Sequence, residues 1–310
     1  KQKTAYEIYQ CDWSSDVCSS DLGSQTPGKG GGQFAWRSSV NYESKIVHVR
    51  GAVMELGDGF EDDLGYYRRT GVRKYFLDFG FRPRPAWWQQ HGTRELHPHV
   101  TWNYYENLTG TTIGKNLHNG QTWFFSDGGY TEVSLNVKYD FLKDSLRLNR
   151  GNPKAQRLAP GGYQWSEWQW IYVSDPSRPV SLNLTAATGG LWSGRQQSIN
   201  STLTFKPNYH FRVSAGIQNT NAQLDRPNQK FSTTLWTGRA NYSFNTAMFL
   251  DALTQYDATI HQFNANVRFN VIHHPLSDLF IVYNEQRFTT PDAPVPGRSL
   301  VVKFTQMLSF

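Results

Sequence analysis

From Phe34 onward, apolar and polar residues alternate with a period of two nearly everywhere, and no segment carries a 3.6-residue apolar stripe over three turns. Successive side chains of a strand point to opposite faces, so the pattern predicts strands with one apolar and one polar face. Tyr209, Phe211, Val213, Ala215 and Ile217 oppose His210, Arg212, Ser214, Gly216 and Gln218. Phe263, Ala265, Val267, Phe269 and Val271 oppose Asn264, Asn266, Arg268 and Asn270, while Thr131, Val133, Leu135, Val137 and Tyr139 oppose Glu132, Ser134, Asn136 and Lys138. Tyr75, Leu77, Phe79 and Phe81 oppose Lys74, Phe76, Asp78 and Gly80. About fifteen such strands follow, most near ten residues, the length of a transmembrane strand. They are placed at 34–42, 45–56, 71–83, 94–106, 111–125, 129–140, 162–174, 179–188, 191–205, 208–219, 229–244, 247–256, 260–272, 277–287 and 298–310.

The connections alternate in length. ESK, SDGG, DPSRP, KPN, FNT and HHPLS are short, whereas GDGFEDDLGYYRRT, FLKDSLRLNRGNPKAQRLAPGG, NTNAQLDRPNQ and QRFTTPDAPVPG are long. Short turns at one end and long loops at the other characterise outer-membrane barrels. RPRPAWWQQHGT (82–93) is an exception, a long connection on the short-turn side.

Composition agrees with this class. Charged residues are 18% of the 310, against about 25% in an ordinary soluble domain, and aromatics reach 15%. The mean hydropathy of −0.60 does not exclude a membrane barrel, whose strands mix polar and apolar positions. No stretch approaches the ~18 uncharged apolar residues of a spanning helix. Two cysteines exclude a disulfide-dense scaffold or a multi-cysteine metal protein.

The first 22 residues stand apart. KQKTAYEI and DWSSDVCSSDL resemble the in-frame translation of two parts of a sequencing-library adapter, in the right order, with Tyr9 to Cys11 where a sample index would lie. Residues 1–22 are therefore set aside as non-native, and Cys11 and Cys18 go with them. Lys1 and Lys3 against Glu7, Asp12, Asp16 and Asp21 leave the remainder two units more positive than the whole chain's +6. Residues 23–33 read as a Gly-rich linker, and residues 34–310 as the barrel. A bacterial barrel has an even strand count and both termini periplasmic, so the expectation is an N-terminally truncated barrel of about sixteen strands or more.

The chain ends RSLVVKFTQMLSF, with Leu300, Val302, Phe304, Leu308 and Phe310 on one face. A last strand with alternate apolar residues and a terminal Phe resembles the signal read by the barrel insertion machinery, and Phe304, Leu308 and Phe310 carry it here. HHPLSDLFIVYNEQRF with RSLVVKFTQMLSF, and QFAWRSSVNYESKIVHVRGAVMELGDGFEDDLGYYRRTGVRKY upstream, resemble the domain of unknown function 5916 family. The resemblance implies an outer-membrane barrel that follows a carbohydrate-binding module of the family-9-like kind. It implies no catalytic residues.

The polar face yields four candidate lumen residues, Lys138, Arg212, Arg268 and Lys303, a positive lining suited to anions or to hydrogen-bonded sugars. Trp87, Trp88, Trp168, Trp170 and Phe310 are candidate membrane-interface aromatics. Trp165 falls on the face opposite Trp168, Trp170 and Tyr172. His97, His99, His273 and His274 lack a partner at a recognised ligand spacing, and Asp58, Glu61, Asp62 and Asp63 lack the spacing of a calcium loop, so no metal site is assigned. Glu132 and Glu167 occur singly, without the paired carboxylate of a glycosidase. No phosphate loop, nucleophile elbow or H-E-x-x-H motif occurs. The expectation is a pore or surface platform in the bacterial outer membrane, with no catalytic residue assigned and no cofactor. Its partners would be membrane lipid, the insertion machinery and carbohydrate. Basic residues are dispersed among strands, which argues against nucleic acid. The alternative is a soluble all-β glycan-binding or glycan-hydrolysing module.

Overall fold

The computed structural model describes residues 34–61, 69–148, 154, 156–291 and 295–307, together with the backbone of 24–25. It is all-β. The strands are β1 (Ser24–Gln25), β2 (Phe34–Glu43), β3 (Val47–Leu56), β4 (Val72–Phe81), β5 (Thr93–Asn107), β6 (Thr112–Phe125), β7 (Tyr130–Leu142) and β8 (Gly161–Val173). They continue as β9 (Val180–Leu191), β10 (Gly194–Phe205), β11 (Phe211–Asp225), β12 (Asn228–Ser243), β13 (Met248–Asp257), β14 (Gln262–His274), β15 (Ser277–Phe288) and β16 (Gly297–Thr305). The order in the sheet is the order in the chain, up and down without a crossover. The ladder runs from β1 to β16, and among the described residues no pairing joins its ends. The fifteen strands of nine residues or more coincide with the alternating segments of the sequence to within a few residues at most ends.

Three differences stand against the expectation, and the first has a physical cause in the pairing of the sheet. NTNAQLDRPNQ, expected as a long loop, continues the β11–β12 hairpin to a turn at Arg226–Pro227. Its polar residues satisfy one another: the Asn219 amide donates across the ladder to Thr234 Oγ1 (2.8 Å), and the Asn221 amide donates along β11 to Asn219 Oδ1 (2.7 Å). A run of Asn and Thr looks like a loop only when neighbours across the sheet are out of view. The expected length alternation therefore rests on the connections 57–71, 143–160 and 289–296. In the second difference, Ser24–Gln25, within the stretch read as a linker, pair with Phe34 and Ala35 of β2. In the third, β16 ends at Thr305 rather than running to 310, and Leu308 and Phe310 lie outside the described residues.

The contacts divide the chain into two units, Lys1–Ser126 with Glu132–Leu146 and Ala159–Trp168, and Asp127–Thr131 with Arg147–Leu158 and Gln169–Phe310. Within the first, the two faces of the sheet differ in an unusual direction. Asp78 and Gly80 of β4 are buried while Leu77, Phe79 and Phe81 are exposed. Phe34, Trp36, Val40 and Tyr42 of β2 are exposed, and so are Val100 and Trp102 of β5 and Val133 of β7. The covered face instead carries His48, Asp78, Glu95, Thr122, Ser134, Asn136 and Glu167. Among the described residues its apolar cluster is small: Ala35, Leu56, Phe60 and Val72, where the loop after β3 turns back so that Gly57 N–H donates to the Phe34 carbonyl. The second unit repeats the pattern, with Ile199, Leu203, Phe205, Trp236 and Tyr242 exposed and Thr204, Asn270 and Ser277 buried.

Candidate functional site

The ladder register sets the composition of the polar face. In the first unit one cross-strand row reads Asn41, Arg50, Asp78, Thr101, His118, and the next reads Glu43, His48, Gly80, His99, Gly120. Rows this polar are stable only if charges meet partners, because an unpaired buried charge costs several kcal/mol. They do meet them. Arg50 Nη2 donates to Glu43 Oε2 (2.7 Å) and Arg82 Nη1 to Glu43 Oε1 (2.6 Å). Arg84 Nε donates to Glu95 Oε2 (2.6 Å), and Thr101 Oγ1 to Asp78 Oδ1 (2.9 Å). His48 Nε2 lies 3.2 Å from Asp78 Oδ2.

Four imidazoles run through these rows. The ring centroids of His48 and His97 are 5.0 Å apart, those of His97 and His99 are 4.7 Å apart and stacked, and those of His99 and His118 are 5.0 Å apart. H-P-H places His97 and His99 on one face of β5, two residues apart. Two glycines leave room for the rings. A Cβ on Gly80 would stand 2.5 Å from His97 Nε2, and one on Gly120 would stand 2.7 Å from His118 Nε2. Glu132 of β7 completes the group, with Oε1 3.4 Å from His118 Nε2 and Oε2 accepting from Thr122 Oγ1 (2.9 Å). His99, His118 and Glu132 present one ligand atom each, all within 4.8 Å of one another.

In the second unit a row of the ladder reads Arg212, Asn241, Asp251, Arg268, Val282, Val301. Arg268 Nη2 is 3.3 Å from Asp251 Oδ2, and Asn241 donates to Asp251 Oδ1 (2.6 Å). Arg212, Arg239 and Arg268 line a polar recess of about 940 Å³, with Asp251 the single acid beside them and Asn200, Asn241 and Asn266 around them. Charged forks and amides of this kind hydrogen-bond hydroxyls, carboxylates and phosphates.

Of the four expected lumen residues, Arg212 and Arg268 thus share one row. Lys303 follows on the same face of β16 and is exposed. Lys138 of β7 is ion-paired with the buried Glu167. Trp168 and Trp170 are exposed on β8, with Trp170 Nε1 donating to Thr131 Oγ1 (2.8 Å), and Trp165 lies on the other face. Trp87 and Trp88 lie in α1 (Ala86–Gln90), a short helix in the connection before β5, edge to face at 5.1 Å. Phe304 is exposed on β16 and its ring stacks on His273 at 5.1 Å. His273 and His274 end β14 without joining a ligand group among the described residues. Asp58 and Glu61 sit in the loop after β3, and Asp62 and Asp63 lie outside the described residues.

Sequence reasoning weighed His97 and His99 but missed His48, His118 and Gly120, because these meet only through the pairing of β3 to β6. The available signal was a polar strand face with histidines at alternate positions in consecutive hairpins. No protein-family model and no curated protein sequence matches the chain.

Proposed function

We propose that this chain is a β-barrel of the bacterial outer membrane, with the apolar face of its sheet against lipid and the polar face around an aqueous lumen. One observation carries the reading: alternate positions are inverted relative to a water-soluble protein, with Leu77, Phe79 and Phe81 exposed and Asp78 buried between them. A soluble sheet turns its apolar alternates to a core; a transmembrane barrel turns them to the hydrocarbon. Exposed Trp and Tyr suit the headgroup boundary, where one end of the ring is apolar and the other wet. The arginine- and asparagine-lined recess suits a hydrophilic, oxygen-rich solute, and the resemblance to barrels that follow a carbohydrate-binding module supports carbohydrate as that solute.

The test is to fold the full chain in detergent and reconstitute it in lipid. The expected results are heat-modifiable gel migration and a step conductance that a soluble oligosaccharide reduces. A monomer that folds without detergent and ignores vesicles would overturn the reading and leave a soluble glycan-binding module. Conductance unaffected by oligosaccharide would remove the carbohydrate and keep the barrel.

A further inference from the structure

The three groups at the end of the histidine run, His99, His118 and Glu132, bring their ligand atoms together. His99 Nδ1 lies 3.1 Å from the His97 carbonyl oxygen, which can only accept, so the proton of a neutral His99 ring sits on Nδ1. His118 Nδ1 lies 2.8 Å from Asn136 Oδ1, which accepts in the same way. Both Nε2 atoms are thereby left as lone-pair donors, and they point at each other across 3.1 Å. The Glu132 carboxylate oxygen is 3.4 Å from His118 Nε2, and its other oxygen is occupied by the Thr122 hydroxyl. Three electron-pair donors are therefore grouped within 4.8 Å of one another, and either a proton on His118 Nε2 or a metal ion has to sit among them. The space is kept by Gly120, where a Cβ would stand 2.5 Å from His99 Cε1, 2.7 Å from His118 Nε2 and 2.8 Å from His99 Nε2.

We propose that His99 Nε2, His118 Nε2 and a Glu132 oxygen bind a divalent first-row transition ion, zinc foremost, on the polar face of the sheet. Two of the three spacings fit: ligands ~2.0–2.1 Å from a tetrahedral zinc stand ~3.3 Å from one another, close to the 3.1 and 3.4 Å separations from His118 Nε2, and the third pair lies within 4.8 Å. The donor set is of the right kind, two imidazoles and one carboxylate, which suits zinc, nickel, copper or iron over calcium or magnesium. Outer partners are also in place. The His97 carbonyl, Asn136 and Thr122 fix the two tautomers and the carboxylate, the role that outer hydrogen bonds play around metal-binding histidines. Three protein ligands leave a fourth position for water or a solute oxygen.

The site does not depend on the membrane reading, since the same residues meet in whichever solvent keeps the chain folded. The experiment uses the untagged full chain, folded and stripped with a chelator, then titrated with zinc chloride or cobalt chloride alone. One ion per chain is expected, with cobalt d–d absorption and an X-ray absorption shell containing two imidazoles. Glu132→Gln and His118→Ala each weaken binding at least tenfold, Asn136→Ala by ~10–100-fold, and Gly120→Ala abolishes it, while His273→Ala leaves it unchanged. The proposal is overturned if the wild-type chain takes up no metal at micromolar concentration and the cluster holds only a proton. A bound ion with an all-oxygen shell overturns it equally, and both readouts need no variant to fold.

Discussion

At the scale of single residues, the polar face depends on what is missing as much as on what is present. Gly80 admits the His48 and His97 rings, and a Cβ there would meet both. Gly80→Ala should therefore destabilise the chain by ~1–3 kcal/mol, the usual cost of forcing packed side chains aside. Gly51 is the control. It is also mid-strand, but the nearest atom to an added Cβ is the Phe76 carbonyl oxygen at 3.9 Å, an ordinary contact. Gly51→Ala should be neutral or slightly stabilising, because alanine narrows the unfolded ensemble. Denaturant midpoints of the two variants, measured side by side, separate the effect of space from that of glycine itself.

At the scale of elements, each strand carries two faces with opposite demands, and a turn has to hold its hairpin in register. Leu77 is 46% exposed on β4, next to the buried Asp78. If the apolar face meets lipid as proposed, Leu77→Lys costs ~2–4 kcal/mol near the bilayer midplane. The same change on a water-facing strand costs within about 0.5 kcal/mol, so refolding equilibria into vesicles distinguish the two. The turn between β8 and β9 gives a pH-dependent case. Asp175 accepts from the Ser177 hydroxyl (2.8 Å) and the Ser177 amide (2.9 Å), with Arg178 Nε 3.2 Å away. These donors, the Ser177 hydroxyl foremost, hold the Asp175 carboxyl below its ordinary pKa. A depressed folded pKa means that the contribution to the turn is complete above the unfolded value and is lost as pH falls through the folded one. Exchange of the Ser177 amide should accordingly stay slow down to the ordinary carboxylate range and quicken below it. In Asp175→Asn that acid-induced step should vanish.

At the scale of the whole molecule, sixteen strands among the described residues follow one another in the ladder without a crossover, the order expected from sequence. The recess of the second unit sets three arginines against Asp251, so a lumen lined by it would prefer anions. Reversing two of them, in Arg212→Glu with Arg268→Glu, should shift the reversal potential of reconstituted channels toward cations. An unchanged selectivity would show that ions pass elsewhere. The strands were legible because period two is a local property: each segment, such as 263–271, displays both of its faces without reference to any neighbour. The β11–β12 extension was not legible, since Asn219 and Asn221 look like loop residues until Thr234 and Ser232 are placed opposite them. The candidate site was half legible. H-P-H put His97 and His99 on one face, but nothing in the chain announced that His118 would lie beside His99 or Glu132 beside His118.

The sequence by itself determined the element type, the existence of fifteen strands with the approximate ends of most, and the division of each strand into an apolar and a polar face, because these follow from alternation along one segment. Only the tertiary structure decided which face is covered and which residues share a row. Burial and register depend on strands far apart in the chain, and a slip of one residue in a single pairing would turn a whole strand over. The meeting of His99, His118 and Glu132 over Gly120 is a product of that register.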